Sequence, residues 1–312
     1  MIRKTNARLY TLVAVLSLLL VQCNVVMQLR YNSLRSLMNF TGYGEPRWSP
    51  DGTQIIFTDS SGGIIIIDSD GTHRRSLKNQ AGPGYTPDWS PDGKEIVFAS
   101  RRSGQWQIYV VNTDGSNVAQ VTRLTTASYP RWSPDGRRIA FCKLRDTKEG
   151  EGIYVMDEDG TNISQLTHYP LQEACNLAWS PDSTQIVFSA ANALAINQGK
   201  GIPDNWDEYG PHLYVMNADG SNLRRVNKGI GGSYYPTWSP DGKQILTSIE
   251  GKPMWGGFYL VDLDGSEGRK VFDASSCNQL HWSWTTNRLL YVCLTGLQTT
   301  QLYTVDMKEV LK

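Results

Sequence analysis

From residue 46 onward, short apolar runs alternate with polar turns, and the alternation repeats at a period just above forty residues. Six tryptophans mark the period: Trp48, Trp89, Trp132, Trp179, Trp238 and Trp282, spaced by 41, 43, 47, 59 and 44 residues. Each unit holds the same pieces in the same order. A short segment ends in Trp-Ser (ASYPRWS), an SPDG turn follows, then come an apolar run such as KEIVFAS and a second such as QIYVVN, GIYVMD or HLYVMN. Another polar turn (TDGS, EDGT, ADGS, LDGS) leads into a last short run, AQVT, SQLT or RRVN. Self-similarity at a fixed period marks one supersecondary unit used repeatedly.

The residue types give each piece a conformation. Proline pre-sets φ at the second position of the SPDG turn, and glycine at the fourth accepts the left-handed region. The Asp-Gly pair between the third and fourth runs is a strong hairpin signal. Isoleucine, valine, tyrosine and phenylalanine fill the runs between, as strands favour. No segment after residue 30 keeps a helical period. Each unit therefore reads as a four-stranded antiparallel sheet, with its tryptophan as a large apolar wedge against the next unit. One such sheet cannot cover both of its faces, whereas six arranged radially cover each other and leave only short edges. The expected fold is all-β, a six-bladed β-propeller of four-stranded antiparallel blades.

Composition refines the picture at the N-terminus. MIRKTNAR is basic, and residues 9 to 21 (LYTLVAVLSLLLV) form an apolar stretch of a length that suits a secretory signal and is short for a membrane span. LLVQC resembles a lipoprotein lipobox, which would make Cys23 a lipidated N-terminus, although Gln22 stands where a small residue is expected. An uncleaved anchor continuing through Val25 to Met27 is the competing reading. The expected organisation is a signal segment over 1–23, a linker over 24–33 and the propeller over 34–312, exported and facing the periplasm, with membrane contact only through the N-terminus. Without the first 23 residues the chain carries 27 basic and 30 acidic side chains. That near balance gives no electrostatic reason to expect nucleic acid.

The pattern P-x-W-S-P-D-G-x-x-I-x-F followed by I-Y-V-M-x-x-D-G-x-N resembles the repeats of TolB-type propellers. The resemblance covers roughly residues 40 to 308. Blade 4 departs with WSPDS, placing Ser183 where glycine recurs, and blade 6 reads HWSWTTN, without Pro, Asp or Gly. TolB-type proteins are periplasmic, and the resemblance implies a monomeric, non-catalytic module that docks an envelope protein. It also implies an α/β domain before the propeller, for which the twenty or so residues after Cys23 leave no room. Similar repeats occur in peptidase propellers, but no two glycines lie four apart, so a G-x-S-x-G elbow is excluded.

Two details concern closure and cysteines. LRSLMN (34–39) echoes RRSLKN (74–79), the outer strand of blade 1, and KEVLK at the C-terminus occupies the same slot in blade 6. Either end could complete the last blade; the N-terminal strand is the favoured one. Pairing Ser283 with Asn287 across the blade 6 hairpin sets Cys277 opposite Cys293, within reach of a disulfide.

Candidate chemistry is sparse. His73, His168, His212 and His281 show no metal-ligand spacing, and no glycine loop has the Ser or Thr of a P-loop. No metal, cofactor or catalytic residue is expected. Binding is assigned to one face, formed by the loops before the first strand and between the second and third strands of the blades. The long blade 4 insertion contributes Trp206, Asp207 and Tyr209, and around it are expected Tyr85, Tyr129, Tyr235, Trp255 and His281. The alternative is a propeller that binds a small ligand or oligosaccharide, or a metal-dependent lyase with His281 at the channel.

Overall fold

The computed structural model describes residues 34–40, 44–77, 82–143, 150–167, 171–192, 211–227, 230, 232–249, 256–266, 268–274, 277–294 and 300–312. Trp206, Asp207, Tyr209, Trp255, Cys23 and His168 lie outside them. Six four-stranded antiparallel sheets follow one another, each with its innermost strand ending at one of the six tryptophans. Five sheets run in simple sequence order. The sixth consists of Cys277–Trp282, Arg288–Leu294 and Thr300–Asp306, completed on the outside by Arg35–Phe40. The N-terminal strand thus closes the ring, pairing Arg35 with Thr304 and Phe40 with Thr300. The C-terminal KEVLK is not a strand: Met307–Val310 forms one helical turn, capped by Asp306 accepting from the Lys308 N–H.

There is no single core. Six apolar clusters fill the six interfaces between blades, and period-two alternation assigns each strand residue to one of its two neighbours. Ile55, Phe57, Ile65 and Ile67 pack towards blade 6, whereas Ile56, Ile64 and Ile66 pack towards blade 2. Both sheet faces are buried, which is why residues 64–67 read as four consecutive isoleucines. Each of the six repeat tryptophans sits in the cluster shared with the preceding blade.

The SPDG turns share one hydrogen-bond lattice. In blade 2, Ser90 Oγ donates to Asp92 Oδ1 (2.7 Å) and accepts from the Glu95 N–H (2.9 Å), while the Gly93 N–H reaches the Ser90 carbonyl (2.9 Å). The second turn family is equally regular. Asp114, Asp159 and Asp219 each accept from a Ser or Thr two residues on, and Asn117, Asn162 and Asn222 adopt φ of 56, 53 and 54°. Asparagine tolerates the left-handed region, which explains the recurring D-G-x-N.

Blade 6 corrects the sequence-based register. The Ser283 N–H donates to the Arg288 carbonyl (2.9 Å) and Trp282 stands opposite Leu289, one residue away from the expected Ser283–Asn287 pairing. A bulge between Asn278 and His281 absorbs the difference, so Cys277 and Cys293 still face each other. They form a disulfide, with Cα atoms 4.0 Å apart. Cys142 and Cys175 form no disulfide and pack within the cluster between blades 3 and 4.

Candidate functional site: the central channel

Alternation on the innermost strands decides what faces the axis. The tryptophan turns into the blade interface, so the residue before it points to the channel. These six positions are Arg47, Asp88, Arg131, Ala178, Thr237 and His281, and together they line one cavity. Three of them brace the next blade. Asp88 Oδ2 accepts the Trp132 N–H (2.9 Å), Thr237 Oγ1 accepts the Trp282 N–H (3.2 Å), and His281 Nδ1 accepts the Trp48 N–H (2.9 Å). The last contact fixes the His281 proton on Nε2 in the neutral ring.

Three residues before the tryptophan, the backbone is bent. Glu45, Thr86, Tyr129, Tyr235 and Gln279 have φ between 33 and 55°, unusual for side chains with a Cβ, and in blades 2, 3, 5 and 6 the pairing register shifts here. The bend in blade 1 aims Glu45 across the channel onto Arg131 of blade 3, a buried ion pair. Arg131 Nη1 also donates to the Pro130 carbonyl (2.8 Å), and the Glu45 N–H donates to Gln279 Oε1 (3.0 Å). Carboxylate, guanidinium and amide thus cross the channel near its middle.

On the side of the SPDG turns, the turn face, the channel opens into a cavity of about 200 Å³, whose wall includes the six tryptophans and Trp284. Towards the opposite, loop face, a space of only about 10 Å³ remains between Glu45, Asn176, Tyr235 and Gln279. That is room for about one water.

Electrostatics follow from burial. Desolvation and the neighbouring Arg131 charge lower the Arg47 pKa to about 10, so it stays cationic at neutral pH. Burial pushes the Asp88 carboxyl up, against the pull of Arg131 and Arg47. His281 is held well below its ordinary value by burial and then by Arg47 and Arg131. The Tyr129 hydroxyl rises to about 12, first through burial and then through Glu45.

The expected binding residues do not form one surface. Tyr129 and Tyr235 stand at the bends near the channel, and Tyr235 lines the small space on the loop side. His281 belongs to the turn-face cavity, away from the face to which the sequence assigned it. Tyr85 is on the loop face, 41 % exposed, with its ring edge-on to Trp106 at 5.2 Å and 82°. His212 is buried in its strand. Arg47, Glu45, Asp88 and Arg131 were not singled out by sequence. The signal for Arg47, Asp88 and Arg131 was the variable position just before an otherwise constant tryptophan; Glu45, three residues before Trp48, had none. Among the described residues no group of three His, Cys, Asp or Glu side chains could hold a metal ion, and no helix is long and apolar enough to cross a membrane.

Comparison with known proteins fits this geometry. Solved structures of similar fold include a protein assigned as TolB from Agrobacterium tumefaciens, 18% identical, covering 87% of this chain and 96% of that one with a TM-score of 0.61. A gluconolactonase from Xanthomonas campestris is 16% identical over 88% of each chain, with a TM-score of 0.62. An oligogalacturonate lyase from Vibrio parahaemolyticus is 12% identical over 83% of this chain and 76% of that one, at 0.56. At such identities the likeness is one of fold. The family model described as the TolB beta propeller domain matches residues 21–193, more than half of the chain. The chain belongs to the TolB beta propeller domain family.

Proposed function

We propose that this protein is a non-catalytic, exported interaction module that docks a cell-envelope protein through its loop face. The observation that carries the reading is the use of the channel's polar groups as braces. Asp88, Thr237 and His281 accept main-chain N–H groups of neighbouring blades, and Glu45 is paired with Arg131. A general base or metal ligand needs a free lone pair aimed at a reacting atom, and His281 Nδ1 is already engaged. A propeller braced in this way is a rigid support for its surface loops. On the loop face, Tyr85 and Trp106 form a partly exposed aromatic pair, with Arg101 stacked 5.8 Å from the Trp106 ring. Aromatic and arginine side chains are the usual anchors of protein interfaces.

The experiment is photo-crosslinking in intact cells of the source organism, with the reactive residue placed at Tyr85 or, on the turn face, at the exposed Lys243. Discrete protein adducts from position 85, absent from position 243 and lost on Trp106→Ala, are expected. Equal adducts from both faces, or none from position 85, would overturn the reading.

A further inference from the structure

The turn-face cavity contains hydrogen-bond donors with nothing to bind. Arg47 is surrounded by protein on all sides and keeps some accessible surface, since it lines the cavity. Among the described residues its guanidinium makes no hydrogen bond and no ion pair, and Nε is buried without an acceptor. Beside it, Trp48 Nε1 and Trp89 Nε1 are also buried and unmatched. The other four indoles are satisfied: Trp132 by the Gly136 carbonyl, Trp179 by that of Arg131, Trp238 by that of Ala178 and Trp282 by Asn287 Oδ1. Arg131 Nε in blade 3 also lacks an acceptor, but its guanidinium is engaged through Nη1 by the Pro130 carbonyl and through Nη2 by Glu45. The wall side chains with no donor matched are Arg47, Trp48 and Trp89, in blades 1 and 2. Native proteins pair nearly all buried polar groups, and an unpaired buried charge is costly.

We propose that the turn-face cavity binds a small organic carboxylate, held by the Arg47 guanidinium between the tryptophans of blades 1 and 2. Arginine suits a carboxylate because its planar fork matches two oxygens. Charge selects a monoanion. Arg131 is already neutralised by Glu45, which leaves one cation, Arg47, and one carboxyl, Asp88, on the same stretch of wall. Asp88 accepts the Trp132 N–H and makes no ion pair with Arg47. A phosphate dianion would bring more negative charge than the wall can balance, and a volume near 200 Å³ suits an acid of a few heavy atoms.

The proposal carries a pH signature. Asp88 is faced by Arg47 and Arg131, with Glu45 behind Arg131 and His281 also in the wall. A bound anion favours the neutral form of Asp88, so binding takes up a proton. Affinity then rises as pH falls, by up to tenfold per unit where the free carboxyl is ionised and the bound one is not.

The test is calorimetric titration of the full chain with sodium acetate and sodium pyruvate at constant ionic strength, with chloride and inorganic phosphate as comparators. Saturable one-to-one binding of at least one acid is expected, tighter at pH 6 than at pH 8. Arg47→Gln should weaken it at least tenfold without lowering the melting temperature, which a purely structural arginine would not allow. Arg47→Lys should fall between, and Asp88→Asn should tighten binding at pH 8 and flatten the pH dependence. Binding of phosphate in preference to both acids, absence of saturable binding, or unchanged affinity in Arg47→Gln and Arg47→Lys would each overturn the proposal.

Discussion

Blade 2 and blade 6 reach the same four-stranded geometry by different means. Blade 2 is one continuous segment whose SPDG turn is closed by Ser90, Asp92 and Gly93. Blade 6 keeps the serine but has lost the proline, aspartate and glycine: Ser283 Oγ meets Thr285 Oγ1 at 3.2 Å, and the left-handed residue is Asn287 (φ 55°), one position later than Gly93. Asn287 also caps the Trp282 indole through Oδ1 (2.9 Å). In exchange, blade 6 has constraints that blade 2 lacks. It contains the Cys277–Cys293 disulfide, a strand from the other end of the chain, and an aromatic cluster in which Tyr291 lies 5.3 to 5.7 Å from Phe258, Phe272 and Tyr303. A local code can lapse where covalent and long-range constraints fix the same geometry.

The comparison can be broken most severely at the closing strand. Removing residues 34–40 uncovers the edge of Thr300–Asp306 and strips Leu37 and Met38 from the cluster between blades 6 and 1. An unpaired edge of that length recruits other chains, so size-exclusion chromatography should show aggregates and thermal melting should lose its single transition. A monomer melting like the intact protein would show that closure contributes little.

Reducing the disulfide comes next. The bond closes a loop of sequence separation 16, for which chain-entropy reasoning gives about 3 kcal/mol. Urea unfolding of the Cys277→Ser, Cys293→Ser double variant should show that loss, and an unchanged midpoint would mean the aromatic cluster alone holds the blade.

A smaller effect should appear with acid. His281 in blade 6 is held below its ordinary pKa, so the unfolded chain binds the proton more readily. Its contribution is fully present above about pH 6.5 and is lost progressively as pH falls below it. Melting temperature should therefore drop between pH 7.5 and 5.5, and His281→Gln, which keeps an acceptor for the Trp48 N–H, should flatten that slope. The smallest effect belongs to blade 2: Asp92→Ala removes acceptors for Ser90 and Lys94 on an exposed turn and should cost about 1 kcal/mol. Thr285→Ala at the matching place in blade 6 should cost less.

The architecture was legible because the repeat states it six times. The tryptophans, the SPDG turns and the doubled apolar runs each name a strand or a hairpin, and the echo between residues 34–39 and 74–79 named the closing strand. The channel was not legible for the opposite reason. Arg47, Asp88, Arg131 and His281 occupy the position before the tryptophan, which differs from blade to blade, and Glu45, three residues before Trp48, pairs with a residue 86 positions away through a bend that no local pattern announces. A proline after Glu45, Thr86, Tyr129 and Tyr235 was visible, yet a residue before proline is ordinarily extended, so the positive φ values ran against the sequence rule. The Cys277–Cys293 register shows the same limit: an error of one at the turn was offset by a bulge equally invisible in sequence.

The closing strand also sets a schedule. Residues 35–40 leave the ribosome some 265 positions before their partners at 300–306, a delay of many seconds at the usual pace of synthesis, about 5–20 residues per second. Throughout that interval the growing chain can stack blades in order but cannot finish the ring. Completion is thereby tied to arrival of the last strand, and the chain stays incompletely folded, and so threadable through a narrow pore, until nearly all of it has been made.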